Sequence, residues 1–439
     1  MFSRESSSVR PQVGAGNPFI HFAPDPSQSS NSPLCAMVCV QGRPYAKKKT
    51  SSALGIFSVS QAQLEYHNTQ EVFMRQHTQQ DFRGQVVWIG LDVHVRFWLV
   101  AIMVGDIFHK SFHQSANVQM LVNYLHRNFP GAEYRCVYEA GYCGFWIQQE
   151  LERSGIRCSV ANPADVPTTD KEKRNKTNRV DAHKLVRSLR NGDIDAIYVP
   201  SRQAQEDRSL VRTRHRMVSK QTRCKNQIKS LLCFYGISLP EDMDERYWSR
   251  CFIAWLKGLK LHSDSGTNTL QILLNELEYH RVSILSVTKT IRQLARQEHY
   301  ARDVNNLIGL SGISTLVAMV FLTELVVLDR FRSLDALAAY VGLVPGEDSS
   351  GEDRTITSIT PRKNRYLRWV LIEAAWVAVR HDPALMLTFT HLSARMPKNL
   401  AIIRIARKLL NRVRFVLKNH SPYVCTLIGQ NSTIVTQGT

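Results

Sequence analysis

Five short apolar segments between residues 86 and 161 constrain the fold more than any other feature of the sequence. The first three follow one another closely, and Gly105-Asp106 supplies a turn between the second and third. Helix-like and strand-like segments then alternate. A strand meander followed by this alternation is typical of an α/β domain with a mixed sheet. The predicted strands are residues 86–93, 97–104, 107–112, 134–138 and 156–161.

Two carboxylates stand at the ends of the first and fourth predicted strands. Asp92 closes the segment 86–93, and Glu139 directly follows 134–138. In ribonuclease-H-like folds strand four lies parallel beside strand one, so we expect both side chains to project into one cleft. Carboxylate oxygens are the ligands that Mg²⁺ prefers. The sequence therefore predicts a site for Mg²⁺ (or Mn²⁺) of the kind that supports phosphodiester chemistry.

A third carboxylate, Asp181, begins a predicted helix, and Asn178 precedes it by three residues. Residues three apart share a helix face, so both side chains could face one site. Each acid also has an ordinary explanation, since the helix dipole stabilises a first-turn acid and a strand end often faces solvent. The order of strand one, strand four and helix favours the functional interpretation.

The charge distribution predicts a negatively charged partner. Lys and Arg total 56 against 37 Asp and Glu, a formal net charge of +19, and no acid follows Asp382. A solvated helix face normally mixes signs, so a basic C-terminal helix favours nucleic acid over the alternative of an ordinary basic protein. The expected contacts on this helix are Arg404, Arg407, Lys408 and Arg412.

A polar loop from Gly346 to Gly351 contains Ser350, and a basic stretch follows it. A serine hydroxyl is a poor nucleophile unless its proton is withdrawn and the attacked phosphate is neutralised. Nearby cations suit the second task, and the loop has no His that would indicate a protease triad. A serine in such a loop is more often part of a turn. We expect nucleic-acid contacts from Arg354, Arg365 and Arg368.

Most of the chain between residues 201 and 420 is predicted to be helical. Heptad spacings starting at Leu210 and Leu270 predict two long helices, either an antiparallel coiled-coil arm or two ordinary amphipathic helices. The apolar segment 307–328 contains Glu324 and several small polar residues, which favours a buried helical hairpin over a membrane span. Nine cysteines without a C-x-x-C pair fit a reducing cytosol.

These patterns predict five regions along the chain. Residues 1–84 read as a disordered or low-complexity extension and 85–200 as the α/β domain with the acidic site. Residues 201–300 read as a helical linker, 301–420 as a mainly α-helical domain with the serine, and 421–439 as a tail.

Several motifs in order resemble the DEDD-type insertion-sequence transposases, serine-dependent recombinases guided by a bridge RNA. The resemblance covers roughly residues 86–420. Its N-terminal part rests on Ile-Gly-Leu-Asp92-Val, Tyr-Glu139-Ala-Gly and Lys-Thr-Asn178-Arg-Val-Asp181-Ala. Its C-terminal part rests on Leu-Ala-Ala-Tyr-Val-Gly-Leu-Val-Pro345, Ser349-Ser350-Gly351 and Asn364-Arg-Tyr-Leu-Arg368.

The resemblance implies a RuvC-like first domain in which Asp92, Glu139, Asn178 and Asp181 hold the metal. It implies that Ser350 attacks a DNA phosphate to form a covalent 5′-phosphoserine link. It also implies a guide RNA, an active site shared between subunits, and a homo-oligomer, a dimer or a tetramer. Such a protein would work in the cytoplasm, associated with the nucleoid and not with a membrane.

This sequence departs from the family pattern at several positions. Asn178 stands where the family has Asp, so metal affinity should fall. Pro361 and Lys363 replace the usual lysine and glycine after Ile-Thr. Ser314 replaces a glycine of a hairpin turn that presents N–H groups to phosphate.

Two alternative functions stay open at this point. One is a metal-dependent nuclease of the resolvase type, which needs the three acids but not Ser350. The other is a nucleic-acid-binding derivative that has lost catalysis, an idea prompted by Asn178 and by the N-terminal extension.

Overall fold

The computed structural model describes residues 81–170, 174, 177–240, 248–350, 353–359 and 363–424, with the backbone alone for 345–350 and 353–359. Most of the predicted extension, 1–84, and the end of the tail therefore lie outside the described residues. The last residues of that extension are folded, because Phe82 is buried with its ring centroid 5.2 Å from that of Phe129. Phe82 therefore packs with the sheet domain, although the sequence analysis placed it in the extension.

A five-stranded mixed sheet with the order β3-β2-β1-β4-β5 forms the first domain. β1 pairs antiparallel with β2 and parallel with β4, which confirms the expected pairing of the first and fourth strands. The third strand continues three residues beyond its predicted end. The strands are β1 Val86–Val93, β2 Phe97–Val104, β3 Ile107–Ser115, β4 Glu133–Glu139 and β5 Arg157–Ala161.

Among the described residues, three helices cover the two faces of this sheet. They are α1 Val118–Asn128, α2 Trp146–Arg153 and α3 Asn178–Asn191. Successive residues of a strand point to opposite faces. Ile89 and Leu91 of β1 belong to the apolar core that α1 and α2 complete. Gly90 and Asp92 therefore point to the opposite face, where α3 packs.

Gly90 allows α3 to approach β1 closely. A Cβ atom at this position would lie 2.4 Å from the Ala182 carbonyl oxygen and 2.7 Å from the Val186 nitrogen. Both of these are backbone atoms, so a side chain here would push the whole helix outward. The close approach keeps the first turn of α3, which carries Asp181, near the end of β1.

We expect Gly90→Ala to lower the free energy of unfolding by about 1–3 kcal/mol, the usual cost of overpacking a core. Urea unfolding measures the effect. Gly141→Ala is the matched control, because a Cβ atom there would meet nothing within 4 Å. Equal unfolding midpoints for the two variants would contradict the proposed role of Gly90.

Two long helices follow the sheet domain, α4 Arg202–Phe234 and α6 Asp264–Leu294, with the short α5 Arg250–Gly258 between them in the chain. α4 and α6 pack side by side, and the two long helices expected from the heptads are confirmed. Cys224 and Ile228 share a core with Leu270 and Leu274. Arg214, earlier in α4, donates from Nε to the Thr288 hydroxyl, later in α6, at 2.8 Å. The two helices therefore run antiparallel.

A helical core forms the C-terminal part of the described chain. Its elements are α7 Glu298–Ile308, α8 Thr315–Leu325, α9 Leu334–Val341, α10 Arg365–His381, α11 Pro383–Ser393 and α12 Lys398–Asn419. α7 and α8 form the expected buried hairpin. Ser314 caps α8 by accepting a hydrogen bond from the Val317 N–H. No helix within the described residues has both the length and the apolar character that crossing a bilayer requires.

The polar loop predicted around Ser350 is instead a β-hairpin, and this part of the sequence prediction was wrong. β6 Pro345–Ser350 pairs antiparallel with β7 Asp353–Ile359, and Ser350 lies opposite Asp353. The physical reason is the composition of β7. Thr355, Ile356 and Thr357 are β-branched and favour a strand. Ser350 therefore stands at the turn end of a paired strand.

Candidate catalytic site and nucleic-acid contacts

Asp92 and Glu139 lie side by side at one edge of the sheet. Leu91 and Tyr138 are the last registered partners of β1 and β4, and each acid is the next residue along its strand. Carboxyl ends of parallel strands meet at the same edge, so both carboxylates leave the sheet together. The sequence prediction that these two acids converge is thus consistent with the register.

Asp181 reaches the same edge from the first turn of α3. Thr177 caps this helix by accepting a hydrogen bond from the Val180 N–H. At its other end Arg190 forms an ion pair with Asp106 in the turn between β2 and β3. The cap sets where α3 begins, and the ion pair joins its other end to the sheet.

The pKa of the Asp92 carboxyl reflects the presence of all three acids. Burial raises the pKa of the Asp92 carboxyl, and the nearby Asp181 and Glu139 raise it further, while His94 opposes these effects. The His94 Nε2 atom lies 3.1 Å from Asp92 Oδ2. Sequence reasoning missed His94, which directly follows β1 and lies two residues after Asp92. The site thus concentrates negative charge in a partly buried place.

Lys184 was also missed, and it lies between two of the acids. Its Nζ atom is 3.2 Å from Glu139 Oε1 and 3.5 Å from Asp181 Oδ1, and its side chain is only 8% exposed. The available signal was its position one turn after Asp181, where the two side chains share a helix face. The Lys184 ammonium already supplies a positive charge where these acids meet.

Asn178 is the first residue of α3 and lies one turn before Asp181. It lines a groove of about 510 Å³ together with Ser111 and His113 of β3. The role of Asn178 as a metal ligand stays a prediction.

The residues fit a hard divalent cation in their chemistry. Three carboxylates converge, and one cation, the Lys184 ammonium, already binds two of them. Glu139 and Asp181 contact Lys184, and Asp92 contacts His94. Within the described part of the chain, no three His, Cys, Asp or Glu side chains are arranged to hold a metal ion. Binding Mg²⁺ or Mn²⁺ would require Glu139 and Asp181 to turn away from Lys184.

Ser350 lies outside the five-stranded sheet, on a hairpin that stands in the chain between two helices of the helical core. The β6–β7 hairpin rises between Gly342, which ends α9, and Asn364, which caps α10. Asn364 donates from Nδ2 to Glu324 Oε2 at 2.8 Å, and Arg212 of α4 donates to both oxygens of this fully buried carboxylate. The sequence singled out Glu324 only as evidence against a membrane span. Its ion pair fixes the base of the hairpin.

Two of the expected nucleic-acid contacts surround the base of this hairpin. Arg365 is exposed and Arg368 is half-buried in the first turn of α10. Desolvation, together with the charges of Arg368 and Arg365, lowers the pKa of Lys363. The three cations are therefore close neighbours. Arg354 lies opposite Ser349 in the hairpin, and the description there is limited to its backbone.

The cations of the C-terminal helix α12 fall into two groups, those in ion pairs and those exposed to solvent. Arg404 and Lys408 are exposed and lie one turn apart on the same face. Arg407 forms an ion pair with Asp335, and Arg412 forms one with Asp382 while its guanidinium stacks 4.8 Å from the Tyr423 ring centroid. Arg407 and Arg412 thus pair with acids that precede α12 in the chain, whereas the Arg404 and Lys408 side chains are exposed to solvent.

Two models of transposase families match separate segments of the described chain. Residues 89–237 match the DEDD_Tnp_IS110 transposase family model, and residues 304–390 match the model of the transposase IS116/IS110/IS902 family. A Sinorhizobium fredii protein named "Putative transposase y4rJ" is 30% identical over 62% of this chain and 74% of its own length. The chain belongs to the IS116/IS110/IS902 transposase family.

Further relatives carry similar names. "Putative transposase y4qE", also from Sinorhizobium fredii, is 32% identical over 56% of this chain, and the match spans 58% of its own length. The transposase for insertion sequence element IS1111A of Coxiella burnetii is 24% identical over 62% of this chain and 74% of its own length. Within this IS116/IS110/IS902 family member, the first matched segment contains the three acids and the second contains the β6–β7 hairpin.

Proposed function

We propose that this chain cuts and rejoins DNA, with the acids at the sheet edge and Ser350 acting together. The observation that carries the proposal is the convergence of Asp92, Glu139 and Asp181, which the pKa of Asp92 reflects. The matches of both segments to transposase family models support it. The net charge of +19 suits a nucleic-acid substrate.

In the proposed reaction the Ser350 hydroxyl oxygen attacks a phosphorus atom of the DNA backbone. A bond forms between Oγ and phosphorus, and the bond from phosphorus to the 3′ oxygen breaks. The serine gives up its proton, the 3′ oxygen takes one up, and the DNA keeps a 5′-phosphoserine link. Attack by a free 3′-hydroxyl on that link rejoins a strand and restores the serine. Arg354, which lies opposite Ser349 near the turn end of the hairpin, would neutralise the attacked phosphate, and Lys363, Arg365 and Arg368 at the hairpin base would contact phosphates further along the strand.

The acids have a separate task in this proposal. Asp92, Glu139 and Asp181, with the neutral amide of Asn178, would hold Mg²⁺ or Mn²⁺. A bound divalent ion would supply charge stabilisation at the reacting phosphate. His94 orients Asp92 through its 3.1 Å contact. Lys184 offsets part of the negative charge of Glu139 and Asp181 when no ion is bound.

The finer organisation of the protein follows from the same resemblance. We infer that residues 85–200 form a RuvC-like domain, that α4 and α6 form a coiled-coil arm within 201–300, and that 301–420 form the serine domain. The acids stand on the sheet domain and Ser350 stands on the hairpin between α9 and α10, which supports an active site shared between subunits of a dimer or tetramer. We also infer a structured guide RNA and work at the cytoplasmic nucleoid.

We expect Lys184→Met to tighten Mn²⁺ binding roughly tenfold. Lys184 competes with the ion for Glu139 and Asp181, and removing that competition should contribute about 1.4 kcal/mol, which corresponds to a factor of ten. Calorimetric titration of Mn²⁺ into the DNA-free protein measures the affinity. Lys220→Met, an exposed change on α4, is the control and should leave the affinity unchanged. Weaker binding by Lys184→Met would instead make Lys184 a support of the site.

The proposal is tested by incubating the full chain with Mg²⁺, donor and target DNA, and RNA transcribed from the sequence flanking its gene. The expected product is recombined DNA together with a protein–DNA adduct that survives detergent. Cleavage without any adduct would favour the metal-dependent nuclease. Binding with neither cleavage nor adduct would favour a derivative that has lost catalysis.

A further inference from the structure

An open groove of about 550 Å³ lies between α4, α8 and α10, outside the three-acid site. Its floor is apolar and includes Ile313, Val317 and Val370. Its rim carries His215, Tyr366 and Trp369, and Arg214 and Glu373 supply polar groups. An apolar floor with a few polar groups is typical of a binding site for a flat, partly polar ligand.

The three rings on the rim form one cluster. The His215 centroid lies 4.4 Å from that of Tyr366 and 5.2 Å from that of Trp369. Tyr366 and Trp369 are nearly parallel, with an angle of 17° between their planes. Burial raises the pKa of Tyr366 to about 12, so this ring belongs to the folded core. Trp369 by contrast is 50% exposed and leaves much of its ring to solvent.

Positive charge borders this aromatic cluster on α10. The exposed Arg365 lies one turn before Trp369, so the two side chains share a face of the helix. Lys363 and Arg368 add two further cations in the same part of the chain. On α4, Arg214 lines the groove beside His215. A phosphate backbone bound at Arg365 would therefore place a base beside the exposed ring of Trp369.

We propose that this groove binds one unpaired nucleobase of a nucleic-acid strand, stacked on Trp369, while the neighbouring phosphates contact Arg365 and the nearby Lys363 and Arg368. Stacking on an open aromatic face needs a base whose own face is free, which a base inside a duplex does not offer. Charge complementarity favours a nucleic acid over an apolar segment of a second copy. The inference rests on the proposed action on nucleic acid but requires neither Ser350 nor the three acids.

The test uses the full chain and short single-stranded oligonucleotides containing 2-aminopurine, in DNA and RNA versions, with the matching duplexes. We expect the fluorescence of the single strands to be quenched on binding. Trp369→Ala should weaken single-strand binding by about 5- to 150-fold, the equivalent of about 1–3 kcal/mol per stacked base. Trp369→Phe should recover most of the affinity, since it restores an aromatic face. Quenching by DNA alone or by RNA alone assigns the strand.

Trp146→Ala is the matched control, because Trp146 is also 50% exposed but lies on the sheet domain. It should bind like the unchanged chain, and so should Asp92→Asn and Ser350→Ala. This separates the groove from the catalytic proposal, since a chain that forms no adduct can still quench the probe. Unchanged single-strand binding by Trp369→Ala would overturn the inference. A loss of self-association in Trp369→Ala with unchanged binding would assign the groove to a second copy instead.

Discussion

Replacing Ser350 with Ala is expected to abolish the covalent protein–DNA adduct while leaving DNA binding within a factor of two or so. Alanine lacks the hydroxyl oxygen that would bond to phosphorus, and no other group at that position can replace it. The change removes one atom at the turn end of the β6–β7 hairpin, so the backbone pairing with Asp353 should persist. The loss should amount to at least about 10³-fold, in keeping with removal of a nucleophile.

The measurement uses two DNA substrates, one labelled on the 5′ side of the cut and the other on the 3′ side. Denaturing gels then show which label stays attached to the protein. The proposal expects label to stay with the protein only when it lies on the 5′-phosphate fragment. Ser349→Ala is the matched control, because it makes the same change one residue earlier in β6. An adduct that survives in Ser350→Ala but disappears in Ser349→Ala would move the nucleophile to the neighbouring serine.

Replacing Asp92 with Asn is expected to lower DNA cleavage by about 10²–10³-fold, the scale on which removing one preorganised electrostatic contact acts. The variant should nonetheless be as stable as the original chain, or more stable. The pKa of Asp92 is raised by burial and by Asp181 and Glu139, so the ionised carboxylate costs stability as pH rises through that pKa. A neutral amide of the same shape removes that cost.

Cleavage assays and urea unfolding at pH 7 measure the two effects in parallel. Asp193→Asn is the control, an exposed acid just past the end of α3, and it should change neither quantity. A large fall in the stability of Asp92→Asn would make Asp92 a structural residue. Full cleavage activity in Asp92→Asn would remove it from the proposed catalytic set.

The sheet and its acids could be predicted because their signals are local. Short apolar segments predicted β1 and β4, and Asp92 and Glu139 stand at the ends of these segments. The position of α3 depends on Gly90, whose importance lies in the backbone atoms it meets and not in any sequence pattern. The Lys184 bridge between Glu139 and Asp181 likewise joins residues from separate elements. Sequence alone does not reveal such contacts.

The basic segments show the same limit. The absence of acids after Asp382 predicted a negatively charged partner for α12, and two of the expected contacts, Arg407 and Arg412, form ion pairs with Asp335 and Asp382. Folding brought in counter-charges from earlier in the chain. In the β6–β7 hairpin, glycines and serines suggested a loop, but the β-branched residues of β7 decided the outcome.

The most direct test of the central claim is anomalous diffraction from crystals of the full chain grown with Mn²⁺. The account predicts a Mn²⁺ peak about 2.0–2.2 Å from oxygens of Asp92 and of Glu139 or Asp181. It also predicts that the Lys184 ammonium will have moved away from those oxygens. Well-ordered crystals with no peak at these carboxylates, and with Lys184 still bound to Glu139 at saturating Mn²⁺, would contradict it.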